Sequence, residues 1–227
     1  MKYIIIGLGS FGASLSEKLT AQGHEVIGVD VDMNKVSALK EKITHTICLD
    51  ATDQNTVSGL PLKDTDIVII AIGEDQGANV MATALMKNLH VKRIISRAIN
   101  PIHENVLQAI GVDEIVHPEE ETAERWAKKL CYKGVEDSFE LNSYFSIVEV
   151  ELPKRYYNKT VQEVRFREKY NLLVLTTVKK PNVKAAIGKQ KRILDVQSVV
   201  TPSTLLEPGD LVVLYGSNKD IRTFIRS

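Results

Sequence analysis

Residues 3–12 read Tyr3-Ile4-Ile5-Ile6-Gly7-Leu8-Gly9-Ser10-Phe11-Gly12, an apolar run that breaks into three closely spaced glycines. A short Ile-rich run ended by glycine predicts a buried strand, and the stretch after it predicts a helix over Ser10–Gln22. Gly7 suits the tight turn, Gly9 lets a phosphate approach the backbone, and Gly12 lets the helix pack on the strand. The helix start offers unpaired N–H groups and the positive end of its dipole to an anion. Glycine spacing alone is a weak signal; here a strand, a helix and a downstream acid accompany it. That acid is Asp30, which closes Val26-Ile27-Gly28-Val29-Asp30 about 20 residues further on. A carboxylate there accepts hydrogen bonds from ribose hydroxyls and repels a 2′-phosphate, which favours NAD over NADP.

Working outward, the first half alternates strands and helices. Strands are expected at Tyr3–Gly7, Glu25–Val29, Thr46–Leu49, Ile67–Ile72, Arg93–Ser96 and Glu114–Val116. Helices are expected at Ser10–Gln22, Met33–Glu41, Gln76–Asn88 and Pro101–Ile110. Ile- and Val-rich strands separated by helices give a Rossmann-like α/β fold, a doubly wound parallel sheet. Loops at the carboxyl ends of such strands line the ligand crevice. That places Asp50, Ala51 and Thr52 near a base or ribose, Ile72 and Gly73 beside the base, and Arg97 where it can meet a phosphate or Glu119. Asp32 can assist Asp30, though a helix cap is its favoured role, and Thr52 or Asp53 can cap the next helix.

A helix starts at Pro118-Glu119-Glu120-Glu121 and runs to about Tyr132. Residues 133–141 read as a linker. Beyond it, Ser146–Leu152, Leu172–Val178 and Leu211–Tyr215 read as strands, the last introduced by the turn Glu207-Pro208-Gly209-Asp210. Thr160–Tyr170 and Lys219–Ile225 read as helices. The expected domains are residues 1–133 and a small α+β domain at residues 140–227.

Composition narrows the function classes. Of 227 residues, 44% are hydrophobic and 26% charged, as in a soluble globular protein. Two cysteines in no metal or redox spacing suit a reduced, cytoplasmic setting. Residues 1–132 carry 13 Lys/Arg against 18 Asp/Glu, whereas residues 133–227 carry 16 against 11. This asymmetry suits two domains with different partners, and without a dense basic stripe nucleic acid is disfavoured. Five histidines show no metal spacing. His117 ends a strand but has no evident catalytic companion, so hydride transfer lacks its acid/base group.

Together, Gly-Leu-Gly-x-Phe-Gly, Gly23-His24-Glu25-Val26, Asp30 with Asp32, Asp50-Ala51-Thr52-Asp53, Ala71-Ile72-Gly73 and Ile115-Val116-His117-Pro118-Glu119 resemble an RCK protein, a regulator of the conductance of potassium. The layout is similar to cytosolic subunits of Trk/Ktr-type potassium uptake systems. The resemblance implies a non-catalytic subunit at the inner face of the cell membrane. It would form dimers and an octameric ring beneath a potassium channel or transporter subunit. Adenine nucleotides (ATP, ADP, NAD or NADH) would bind the first domain at Gly7, Gly9, Gly12, Asp30, Asp50, Thr52 and Arg97, with Leu8, Ser10 and Phe11 in the same turn. Glu119 matches a carboxylate that in some relatives helps hold Mg or Ca. Val161, Arg167 and Pro202 fall near a region where some relatives bind cyclic di-AMP, although Gln162 stands where an apolar residue is expected. ATP-sensing relatives often carry Arg where this chain has Ser10, which keeps NAD(H) a serious candidate. The main rival reading is a small NAD-dependent oxidoreductase.

Overall fold

A computed structural model describes residues 1–131, 134–179, 195–196 and 199–226. The chain divides into two compact units, residues 1–119 and 120–227. The first contains β1 Lys2–Ile6, α1 Ser10–Ala21, β2 Glu25–Asp30, α2 Met33–Leu39, β3 His45–Cys48, α3 Gln54–Val57, β4 Ile67–Ile70, α4 Gln76–Asn88, β5 Ile94–Arg97, α5 Pro101–Ile110 and β6 Glu114–Val116. The strands pair in parallel in the order β3-β2-β1-β4-β5-β6. This is the doubly wound arrangement expected from the alternating pattern.

The sheet is buried on both faces, which explains its continuous apolar strands. Ile4, Ile6, Val68 and Ile70 pack on one side; Tyr3, Ile5, Ile67 and Ile69 pack on the other. Helix starts are fixed by side-chain caps: Asp32 accepts from the Asn34 N–H, Asp75 from Ala78 and Asn100 from His103. Gly111, in the left-handed region at φ 80°, ends α5. Strand order reverses between β1 and β4, and their carboxyl ends therefore flank an opening where loops diverge.

The helix α6 Pro118–Cys131 runs from the end of the first unit into the second; its expected end near Tyr132 lies outside the described residues. The linker expected over residues 133–141 is mostly a strand instead, β7 Val135–Glu140. Residue 133 itself lies outside the described residues. Three acids in six positions hide the strand pattern, and α6 supplies the missing reason. Arg125 pairs with Asp137, Lys128 with Glu140 at 2.6 Å, and Lys129 with Glu136 at 3.4 Å.

The second unit continues with β8 Phe145–Glu151, β9 Lys159–Thr160, α7 Val161–Val164, α8 Phe166–Tyr170, β10 Leu173–Lys179, β11 Asp195–Val196, β12 Leu205–Leu206, β13 Leu211–Ser217 and α9 Asn218–Arg226. Its main sheet is antiparallel, in the order β11-β10-β13-β8-β7. The single helix expected over Thr160–Tyr170 is two short ones. Thr160 and Glu163 form a reciprocal cap at the start of α7, and Arg165 at φ 56° leaves the right-handed region and breaks the helix. Phe224 of α9 is fully buried and stacks on Tyr156 with ring centroids 5.6 Å apart.

Candidate functional site

A crevice of about 380 Å³ opens at the carboxyl ends of β1 and β4. Its floor is the turn from β1 to α1. Gly7 has φ 99°, and a Cβ there would lie 2.8 Å from the Ile72 backbone N. A Cβ on Gly12 would lie 1.9 Å from the Gly7 carbonyl oxygen, so α1 seats directly on the strand end. Gly9 differs: it has negative φ, and nothing lies within 4 Å of an added Cβ. Gly9 is the N-cap of α1, no side chain caps this helix, and its first turn holds no acid. The first N–H groups of α1 have no intrahelical acceptor, and they start at a residue that lines the crevice.

Asp30 forms the opposite wall and is only 8% exposed. One carboxylate oxygen accepts the Leu8 N–H at 2.7 Å and the other the Asp32 N–H at 2.9 Å. It therefore fixes the glycine turn from the end of the neighbouring strand, and each oxygen keeps capacity for a further donor. Asp50 accepts the Thr52 N–H at 2.9 Å and its hydroxyl at 2.7 Å. The Thr52 hydroxyl and N–H hold the Asp50 carboxyl below its ordinary value, against a small opposing effect of burial.

The far end of the crevice is built on Arg97. Its Nη2 donates to Glu119 at 2.6 Å, and its guanidinium lies over Gly73, where a Cβ would meet Nη1 at 2.1 Å. Asn79 organises the backbone behind it. Asn79 is fully buried; its amide donates to the carbonyls of Ile72 at 2.9 Å and Arg97 at 3.2 Å, and its oxygen accepts from the Ser96 hydroxyl at 3.1 Å. Capture of the Ile72 carbonyl accounts for β4 ending at Ile70 rather than at Ile72. We expect Gly73→Ala to displace the guanidinium, because the clash is with the end of a flexible side chain rather than with backbone. Its urea midpoint should correspond to a change under about 1 kcal/mol, while a crystal structure of the variant shows Arg97 turned off Glu119. A loss above about 2 kcal/mol would mean that the guanidinium has nowhere to go.

Of the residues expected here from sequence, Gly7, Gly9, Ser10, Phe11 and Asp30 line the crevice, as do Asp50, Ala51, Thr52, Ile72, Gly73, Arg97 and Glu119. Three do not. Leu8 is 4% exposed and packs into the core, so only its N–H serves the site. Gly12 acts through helix packing. Asp32 caps α2 through the Asn34 N–H at 2.8 Å. Sequence reading missed Lys35 and the pair Glu74 and Asp75, which also line it. Asp75 was findable as the cap before Gln76; Lys35 carries no signal beyond its place in the first turn of α2.

The TrkA-N domain family matches residues 3–118. The chain belongs to this family. The chain is 33% identical over 225 residues to Ktr system potassium uptake protein C of Bacillus subtilis, a match that takes in 98% of this chain and 95% of that protein. Identity to Ktr system potassium uptake protein A of the same organism is 31% over 223 residues, covering 98% and 95%. The GsuK channel bound to NAD has the same fold over 98% of this chain and 38% of its own, with TM-score 0.63 and 17% identity.

In this TrkA-N protein the residues predicted for a second ligand, Val161, Arg167 and Pro202, lie in the second unit. Val161 opens α7, and the next N–H, of Gln162, donates to the Pro202 carbonyl at 3.0 Å; Arg167 stands exposed on α8. His117 lies 3.5 Å from Glu104. Among the described residues no three His, Cys, Asp or Glu side chains are grouped to hold a metal, and no helix is long and apolar enough to cross a membrane.

Proposed function

We propose that this chain is a nucleotide-sensing, non-catalytic subunit that regulates a potassium channel or transporter in the membrane. The observation that carries the reading is the pairing of an uncapped helix start at Gly9 with the nearly buried Asp30 carboxylate across one crevice. An adenosine diphosphate moiety suits it: phosphates meet the N–H groups of α1, and the ribose hydroxyls donate to Asp30. Likeness over nearly the full length to Ktr potassium uptake proteins supports the potassium role, and the GsuK channel bound to NAD supports an adenine ligand.

The remaining parts follow the same line. Subunits associate as dimers and in an octameric ring on the cytoplasmic face of the membrane. Each nucleotide shifts that ring only by its differential affinity for the ring's conformations. A magnesium or calcium ion at Glu119 would draw its other ligands from nucleotide phosphates, because Glu119 already pairs with Arg97 and has no grouped partners among the described residues. Cyclic di-AMP near Val161, Arg167 and Pro202 is a second, independent ligand in this reading.

Thermal-shift measurements against ATP, ADP, NAD, NADH and cyclic di-AMP test the proposal. A ligand at a hundred times its Kd stabilises by about 2.7 kcal/mol, which a melting curve resolves readily. No shift with millimolar adenine nucleotide removes the sensor reading. Steady NADH turnover would install the oxidoreductase in its place.

A further inference from the structure

We infer that the second unit carries an oxyanion site of its own, independent of the nucleotide crevice. It is a small recess between α6, β7 and α9 that takes a phosphate group, with Lys128 and Arg222 as its cations.

The recess measures about 80 Å³ and lies within the second unit. A water needs only roughly 10–15 Å³ of such space, so a tetrahedral anion fits. Its floor is apolar: Val135, Val148 and Ile221 are at most 6% exposed. Its polar wall is Lys128 from α6, Ser138 from β7 and Arg222 from α9. Among the described residues no Asp or Glu lines it.

Lys128 is the deciding side chain. Its Nζ is shut off from solvent and makes no well-aligned hydrogen bond. It lies 2.6 Å from Glu140, which lines the neighbouring hollow between α6 and β7 rather than the recess. An ammonium has three donors, and one carboxylate contact does not occupy them all. A buried donor lacking an acceptor is costly, and an oxygen-rich anion in the recess supplies acceptors. Other polar groups at the rim already have partners. The Ser146 hydroxyl donates to Asn218 Oδ1 at 2.7 Å, and the Asn218 amide donates to the Ser143 carbonyl at 3.0 Å. The start of α9 is capped by Ser217, whose hydroxyl accepts the Asp220 N–H at 3.1 Å. Side chains from three elements therefore make the site, not a helix end.

The surroundings reinforce the charge. Asn218 and Arg222 also line a wider groove alongside, together with Lys219 and Arg226. Lys219, Arg222 and Arg226 recur at helical spacing and share one face of α9. The one acid of α9, Asp220, already accepts from the Ser217 hydroxyl at 2.7 Å and the Asn171 amide at 3.2 Å. A phosphate monoester brings a charge of about −1.5 to −2 to this basic face. The apolar floor strengthens its attraction to both cations, and added salt weakens it. Bound there, a phosphate joins α6 to α9, where the ion pairs described above join α6 to β7.

Titration calorimetry of the full chain with inorganic phosphate at low ionic strength tests this. Co-sedimentation with phosphatidic acid vesicles asks whether the phosphate belongs to a lipid. Phosphate is expected to bind with a Kd of about 1 mM or tighter. Arg222 is exposed, so Arg222→Gln folds; it should weaken phosphate about tenfold, and Arg222→Lys should recover part of the loss. Lys128→Gln should weaken it by a similar factor. Phosphate held at the α1 start instead would be indifferent to these substitutions. Phosphate binding joined by vesicle retention that Arg222→Gln abolishes assigns a lipid headgroup; phosphate binding without retention assigns a soluble ligand. No binding at tens of millimolar phosphate overturns the inference, and so does binding that either Gln variant leaves unchanged.

Discussion

Asp30→Ala is expected to damage the free protein and its ligand complex at once. In the free chain the substitution strands the buried Leu8 N–H, which donates to Asp30 at 2.7 Å, and frees the Asp32 N–H. A buried donor left without its acceptor costs about 1–3 kcal/mol, read as a lower urea midpoint. Ribose hydroxyls lose a charged acceptor in the same step, for about 1–3 kcal/mol more, a five- to more than hundredfold rise in Kd for adenine nucleotides by calorimetry. Parental values in both measurements would mean that this carboxylate neither fixes the glycine turn nor meets a ligand. A stability loss with unchanged affinity would assign Asp30 to architecture alone.

Gly12→Ala should be harsher on folding. The added Cβ falls 1.9 Å from the Gly7 carbonyl oxygen and 3.2 Å from the Ala71 Cβ. Backbone lies on one side and a packed β-carbon on the other, so α1 must lift away from the sheet. Overpacking of this kind costs about 1–3 kcal/mol and occasionally more, and contact with main chain puts this site at the upper end. Gly9→Ala is the control, since open space surrounds its Cβ and its φ is negative. It should melt close to the parent while its methyl group obstructs phosphate approach, separating the two glycines by stability and affinity. Equal melting temperatures for both variants would refute the packing role of Gly12.

How much of this was legible beforehand varies with the range of the interaction involved. Helices Gln76–Asn88 and Pro101–Ile110 and strand Glu114–Val116 match the expected bounds, because caps and turns written into the local sequence set them: Asp75, Asn100 with Pro101, and Gly111. The RCK-like, doubly wound first unit was equally plain, since continuous Ile and Val runs fit few other arrangements. The four-residue helix Gln54–Val57 is too short to show a period. β7 escaped notice because its acids are balanced by bases on α6, a fact of tertiary structure. Asn79 stayed hidden for the same reason: its partners Ile72 and Arg97 come from the ends of two different strands. The meeting of Arg97 with Glu119 could be raised from loop positions, but the placement of the guanidinium over Gly73 could not.

The helix α6 contains no buried residue, and Trp126 and Leu130 stand more than half exposed on it. Apolar burial therefore does little to keep it wound. What grips it is a row of charges matched to β7, at Arg125, Lys128 and Lys129. Dissolved ions screen such pairs, and the Debye length shrinks from about 10 Å at 0.1 M to about 3 Å at 1 M. The coil-to-helix balance of this segment is thus tied to the ionic strength around it, in a way that the Ile- and Val-filled sheet of residues 1–119 is not.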